Sequence, residues 1–240
     1  MSLLRTEGLT KHFGGVAAVE DLALAVEPGE VFGLIGPNGS GKTTALNMLS
    51  GFLSPDRGRV WLAGEEVTRM QPSALARRGL LRMFQMTRVF PRICAFDNLL
   101  TAGLARGLAE AEATRRADAL IGELTLEPVR YLDAGQLSGG QRKLLEFGMC
   151  FMEPPRIALL DEPFAAVHPV MRETMATFIR RRNAQGHTFL VVSHDMPIVV
   201  DLCHRAACMN AGRLIAVGAT RDVLRDHGVI EAYLGSGADA

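Results

Sequence analysis

An α/β fold, built on a mostly parallel sheet with helices on both faces, is what three observations in the sequence predict. Continuous apolar runs of strand length stand at residues 32–35, 157–160 and 188–192, and such runs mark strands buried on both faces. Stretches with helical character alternate with them, at residues 45–52, 142–152 and 170–184, as βα units require. The first apolar run also passes directly into a glycine-rich turn and then a helical stretch.

Bulk composition agrees with that fold. A chain of 240 residues suits one large domain, or a domain with a subdomain, and 48% hydrophobic residues supply a core and exclude disorder. The 26 basic residues balance 26 acidic ones, which argues against nucleic acid as the main partner. Arg77, Arg78 and Arg82 form one local basic cluster, and Arg180, Arg181 and Arg182 another; both read as solvated helix faces. Cys94, Cys150, Cys203 and Cys208 make no CxxC pair and no zinc-type spacing, so they read as structural or spectator thiols in a reducing compartment. The first seven residues lack the apolar core of a signal peptide. No run approaches the ~18 apolar residues of a membrane span. The expectation is a soluble chain able to dock onto a membrane protein.

Taken in order, residues 32–35 form a buried strand and residues 45–52 a helix, with Leu46, Leu49 and Phe52 at spacings of three. Residues 60–64 read as a further strand. Between residues 99 and 124 Ala, Leu, Glu and Arg dominate, which predicts two or three helices. Residues 88–150 thus read as a helical subdomain set against an α/β core of residues 1–87 and 151–240, the whole forming one domain. Pro154 and Pro155 stop the helix of residues 142–152. The strand at 157–160 ends on Asp161 and Glu162, and the strand at 188–192 ends on Ser193 and His194. Residues 206–217, with Ala211-Gly212 at the centre, read as a hairpin that adds an antiparallel portion.

The chemistry starts at Gly36, Pro37, Asn38, Gly39, Ser40, Gly41, Lys42 and Thr43, a full GxxxxGK[ST] match between strand and helix. In that setting glycines let backbone N–H groups turn onto phosphate oxygens, and a helix starting near Gly41 aims its positive end at them. Lys42 is expected to reach the β- and γ-phosphates, Thr43 to ligate Mg²⁺ and Thr44 to add a phosphate contact. Asp161 closes an apolar strand, which places its carboxylate to hold the Mg²⁺ shell. Glu162 beside it would orient and polarise an attacking water. Taken alone, such an acidic pair equally suits a helix N-cap; the phosphate-binding loop before it favours the catalytic reading. Ser138, Gly139 and Gly140 precede a second helix and form another anion-binding device of hydroxyl, flexible backbone donors and helix N-terminus.

With Leu137-Ser138-Gly139-Gly140-Gln141 about a hundred residues after the loop and twenty before Asp161-Glu162, the chain resembles an ATP-binding cassette (ABC) ATPase over nearly its whole length. The resemblance implies a P-loop NTPase core and ATP with Mg²⁺ as ligands. It makes Gln85 the loop glutamine that touches Mg²⁺ and the water, His194 the histidine that bonds the γ-phosphate, and Phe13 the aromatic that stacks on adenine. It also implies a head-to-tail pair with a second ATPase subunit, identical or related. Each ATP is then gripped by one subunit's P-loop and by the Ser138 to Gln141 stretch of the other.

Residues 79–91, residues 162–167 and residues 229–235 resemble ATPases of branched-chain amino acid importers, a pattern shared with urea-type importers and lipopolysaccharide-export ATPases. The implied partners are membrane permeases and, indirectly, a periplasmic or lipid-anchored binding protein, with the subunit on the cytoplasmic face of the inner membrane. Met83, Met86, Val89 and Phe90 have two readings, an adaptable docking surface for a permease helix or internal packing. Three departures stand out: His168 where Asp or Asn is usual, Met149 where Arg is usual, and Gly148, which weakens its helix by up to ~1 kcal/mol. None touches the catalytic set, and an active ATPase is expected. Soluble ribosome or DNA-repair cassettes generally carry tandem cassettes or a long coiled coil, and neither is seen. A P-loop kinase or GTPase is disfavoured by Leu137 to Gln141 and by the lack of an NKxD sequence.

Overall fold

A computed structural model describes residues 1–84, 86–165 and 167–235. Its elements run β1 (Leu4–Phe13), β2 (Val16–Leu22), β3 (Ala25–Val26), β4 (Val31–Ile35), α1 (Lys42–Leu49), β5 (Arg57–Leu62), β6 (Glu65–Glu66), α2 (Pro72–Arg77) and β7 (Leu80–Met83). A helical stretch follows with α3 (Ala95–Ala105), α4 (Glu110–Glu123) and α5 (Gly139–Cys150). The chain then returns to strands through β8 (Ile157–Asp161), α6 (Pro169–Ala184), β9 (Thr188–Val192), α7 (Met196–Leu202), β10 (Arg205–Asn210), β11 (Arg213–Ala219), α8 (Thr220–Val223) and α9 (His227–Gly235).

Among the described residues the main sheet has the order β11-β10-β4-β9-β8-β7. All its pairings are parallel except the β10–β11 hairpin. Because β4, β8 and β9 run the same way, Ile35, Asp161 and Val192 finish at one edge of the sheet, where α/β folds place their ligands. Each apolar run feeds two cores by strand alternation. Ile157 and Leu159 point to a cluster with Phe32, Leu34, Leu46 and Val60, while Ala158 and Leu160 point to one with Ile35, Phe147, Phe178 and Phe189. That two-sided burial explains why these strands are uninterrupted in sequence.

A second, antiparallel sheet of order β2-β1-β5-β6, with β3 on β1, covers the first core. Helices α3 and α4 pack together, and α5 joins them to β7 and α6. The rings of Phe147, Phe151, Phe178 and Phe189 close that junction, with neighbouring centroids 5.0 to 5.9 Å apart. Gly148 has a packing reason rather than a helical one. A Cβ there would sit 2.8 Å from Leu124 Cδ1 and 3.0 Å from Leu99 Cδ2, so glycine lets α5 approach its neighbours. Met149 packs partly buried against the same core. Among the described residues no helix is long and apolar enough to cross a membrane.

Candidate active site

The turn after β4 is built around two glycines that no other residue can replace without moving backbone. Gly36 has φ 144°, and a Cβ there would lie 2.2 Å from the Met209 carbonyl oxygen; Gly41 has φ 102°, with the Ala18 carbonyl at 2.4 Å. Gly41 is also the N-cap of α1, so the helix begins at Lys42 itself. The Lys42 ammonium folds back over the loop and donates to the Gly36 and Pro37 carbonyls, each at 2.7 Å, and to Ser40 Oγ at 3.3 Å. Burial lowers its pKa, against the raising pull of Glu162, Cys208 and Asp161.

A cleft of about 630 Å³ opens above this loop. Asn38, Gly39, Ser40, Gly41, Lys42, Thr43 and Thr44 line one side, and Asp161, Glu162 and His194 face them from the ends of β8 and β9. Ten of the residues singled out in the sequence therefore meet in one place. Gly36 and Pro37 lie beneath, as acceptors for Lys42. Phe13 stands outside the lining, exposed at the end of β1; Val16, Ala17 and Ala18 on β2 line the cleft instead. Gln85 lies outside the described residues.

Glu162 has a φ of 49°, unusual for a residue with a Cβ. Its N–H donates to the Val192 carbonyl at 3.0 Å, and its Oε2 lies 3.0 Å from His194 Nδ1. The carboxylate is 14% exposed and the imidazole 66%, so the pair sits at the cleft mouth with the acid on the inner side. Ser138, Gly139, Gly140 and Gln141 lie elsewhere, at the start of α5, outside the cleft lining. There Ser138 Oγ accepts from Gln141 N at 3.3 Å, and Gln141 Oε1 accepts from Ser138 N at 2.9 Å, a reciprocal cap.

Three residues that bond to Asp161, Gly36 and Glu162 escaped the sequence reading. Arg82 does not belong to a solvated helix face: it lies on β7 with a side chain only 5% exposed. It donates to Asp161 Oδ2 at 2.9 Å, Asn47 Oδ1 at 2.5 Å and Ser50 Oγ at 3.1 Å, and its guanidinium lies 4.9 Å from the Phe84 ring centre. Tyr233 on α9 accepts from the Gly36 N–H at 2.7 Å, and burial pushes its phenol up to about 12. Lys143 on α5 reaches the turn that carries Glu162. Each of these partners is distant in sequence, so no local pattern marks them.

The four apolar residues near Gln85 divide between their two readings. Met83 is buried and Val89 packs against the core, while Met86 and Phe90 are exposed. His168 caps α6, its Nδ1 accepting from Val170 N at 3.4 Å, a position that Asp or Asn also suits.

Among the described residues no group of three or more His, Cys, Asp or Glu could cage a metal. One buried carboxylate and one hydroxyl facing the same cleft, Asp161 and Thr43, do fit Mg²⁺, which prefers oxygen donors and takes few from protein when phosphates supply the rest.

Comparison with known proteins agrees with this geometry. The ABC transporter family profile matches residues 19–165. The chain is 33% identical to the probable branched-chain amino acid transport ATP-binding protein LivG of Methanocaldococcus jannaschii, over 98% of each chain. It is 34% identical to the lipopolysaccharide export system ATP-binding protein LptB of Escherichia coli strain K12, again over 98% of each. A crystal structure of an ABC transporter cassette in its ADP conformation superposes with a TM-score of 0.86 at 32% identity, covering 98% of this chain and 99% of that one. A phosphate-cradling loop, a carboxylate pair facing it and likeness from end to end leave one conclusion: the chain belongs to the ABC transporter family and is an ATP-binding, ATP-hydrolysing subunit of it.

Proposed function

We propose that this subunit drives import of amino acids of the branched-chain type, by closing head to tail with a second ATPase subunit around two ATP molecules. The separation between the two anion-binding devices supports the pairing. The Ser138 turn is exposed and stands outside the cleft that holds Lys42, so this helix N-terminus faces away from the chain's own nucleotide site and can meet a nucleotide bound by another subunit. In this reading Lys42, Thr44 and the loop N–H groups hold the phosphates, and Phe13 stacks on adenine. Glu162 takes the proton of the attacking water, and His194 steadies the γ-phosphate. Thr43 and Asp161, with Gln85 by family resemblance, hold Mg²⁺, which when bound neutralises phosphate charge. Residues 88–150 act as the helical subdomain against the core of residues 1–87 and 151–240.

The choice of import rests on the likeness to LivG and to the branched-chain protein BraF of Pseudomonas aeruginosa, 35% identical. Met86 and Phe90, both exposed, offer the apolar contact that a membrane subunit would take, in keeping with a position on the cytoplasmic face of the membrane. Export of lipopolysaccharide is the second reading, because LptB is as similar. Gentle detergent extraction with the tagged subunit separates them: two permeases and a solute-binding protein are expected. Recovery of lipopolysaccharide-export membrane subunits instead would overturn import.

Ser138→Arg tests the pairing. It is expected to leave ATP binding to the single chain within about twofold and to lower hydrolysis at least ~100-fold, an oxyanion-type loss. Fluorescent nucleotide titration and light scattering check the two halves. Loss of ATP binding by the single chain would mean that this turn serves its own cleft.

A further inference from the structure

Lys143 is a buried cation that the reading above leaves without a task. It lies in the second turn of α5, five residues after Ser138, and its side chain leaves the helix toward the end of β8. The ammonium donates to the Glu162 carbonyl at 2.9 Å and to the Ala165 carbonyl at 3.3 Å. Among the described residues no carboxylate lies within ion-pair distance of it; burial lowers its pKa, and Glu146, Glu162 and Asp161 pull it back from farther away. A buried charge compensated by carbonyls is expensive, and an unbranched apolar side chain would fill the same space. What the charge adds is a grip on the backbone of one residue.

That residue needs a grip. Glu162 sits at φ 49°, a conformation that a side chain with a Cβ leaves unless its surroundings hold it. Its N–H is fixed by β9 through Val192 and its carboxylate by His194. Its carbonyl accepts from Ala165 N at 3.2 Å within the turn and from Lys143 outside it. Lys143 is thus the one side chain from another element on the Glu162 backbone among the described residues.

We infer that Lys143 is a positioning residue for hydrolysis: it holds the Glu162 backbone in the orientation that presents the carboxylate to the water. By its place on α5 it ties that carboxylate to the helix whose N-terminus meets the second subunit's nucleotide. The inference rests on the reading of Glu162 as the catalytic acid–base group. Glu146, one turn further along α5, is buried and accepts from the Arg88 N–H, its pKa raised by burial to about 7. The same helix therefore also holds the segment after β7.

Lys143→Met and Lys143→Arg test this in the full chain. For Lys143→Met, with a circular dichroism spectrum like the parent's, ATP affinity and KM are expected within about twofold. The kcat is expected to fall about 100-fold, the scale of a catalytic group displaced by an ångström. ATP-bound dimer should accumulate on gel filtration, and Lys143→Arg should recover most of the loss. A folded Lys143→Met with kcat within twofold of the parent overturns the inference, and so does a loss that appears only as weaker ATP binding. If Lys143→Met does not fold, Lys143→Gln takes its place. Its shorter amide cannot reach both carbonyls, and the same kcat loss at unchanged KM is expected, with the same results overturning the proposal. Glu162→Gln, measured alongside, keeps the two readings apart. Full hydrolysis by Glu162→Gln defeats the role of Glu162 itself, whereas an inactive Glu162→Gln beside a fully active Lys143→Met defeats only the part given to Lys143.

Discussion

Glu162→Gln is expected to cut ATP hydrolysis by about 10²–10⁴-fold while leaving ATP binding intact, because general-base catalysis contributes on that scale. The substitution keeps shape and hydrogen bonding but removes the charge that accepts a proton. The backbone should not respond, since Glu162 is held through its N–H and carbonyl, neither of which the side chain supplies. In the proposed reading Lys42 and the loop N–H groups grip phosphate without it, so nucleotide affinity should stay within about twofold of the parent. ATP-bound dimers should then persist long enough to be isolated. Steady-state hydrolysis together with gel filtration in ATP tests both halves, and hydrolysis at the parent rate would remove Glu162 from the mechanism.

Arg82→Met carries the largest expected effect on stability. Arg82 and Asp161 form an ion pair in which both side chains are 5% exposed, and removing one partner of such a pair typically costs about 3–5 kcal/mol. The loss should lower the melting temperature by about 6–20 °C for a domain of this size. Arg82→Lys should recover less than half, because one ammonium cannot serve Asp161, Asn47 and Ser50 together from the positions the guanidinium reaches. Thermal melts of both variants check this, and an Arg82→Met melt within 2 °C of the parent would show the pair to be energetically idle.

Arg82 also marks where the sequence stops being legible. The strands at 157–160 and 188–192 and the loop from Gly36 to Thr43 were readable because burial on both faces and phosphate geometry impose local patterns. β1 and β2 carry mixed polar and apolar residues, broken by register shifts between Leu9 and His12, and give no clean alternation. β7 is four residues long and follows α2 closely, so Arg82 looked like one more charge of a helix surface. Its partner lies 79 residues away, and no spacing rule spans that distance. The start of α5 read as an anion-binding turn, and the family resemblance assigned it to the other subunit's ATP; in three dimensions it lies outside the chain's own cleft lining.

The bond from Gly36 to Tyr233 spans 197 residues, and it bears on how the chain is born. β4 pairs with β9 and β10, so the strand carrying the phosphate loop leaves the ribosome with neither neighbour made. About 150 residues separate it from β9, or roughly 8–30 s of translation at 5–20 residues per second. Over that interval Gly36 keeps its N–H in water. The loop has all its neighbours only after β9 and β10 flank β4 and α9 has docked, so competence for nucleotide follows the synthesis of α9 rather than the emergence of the motif.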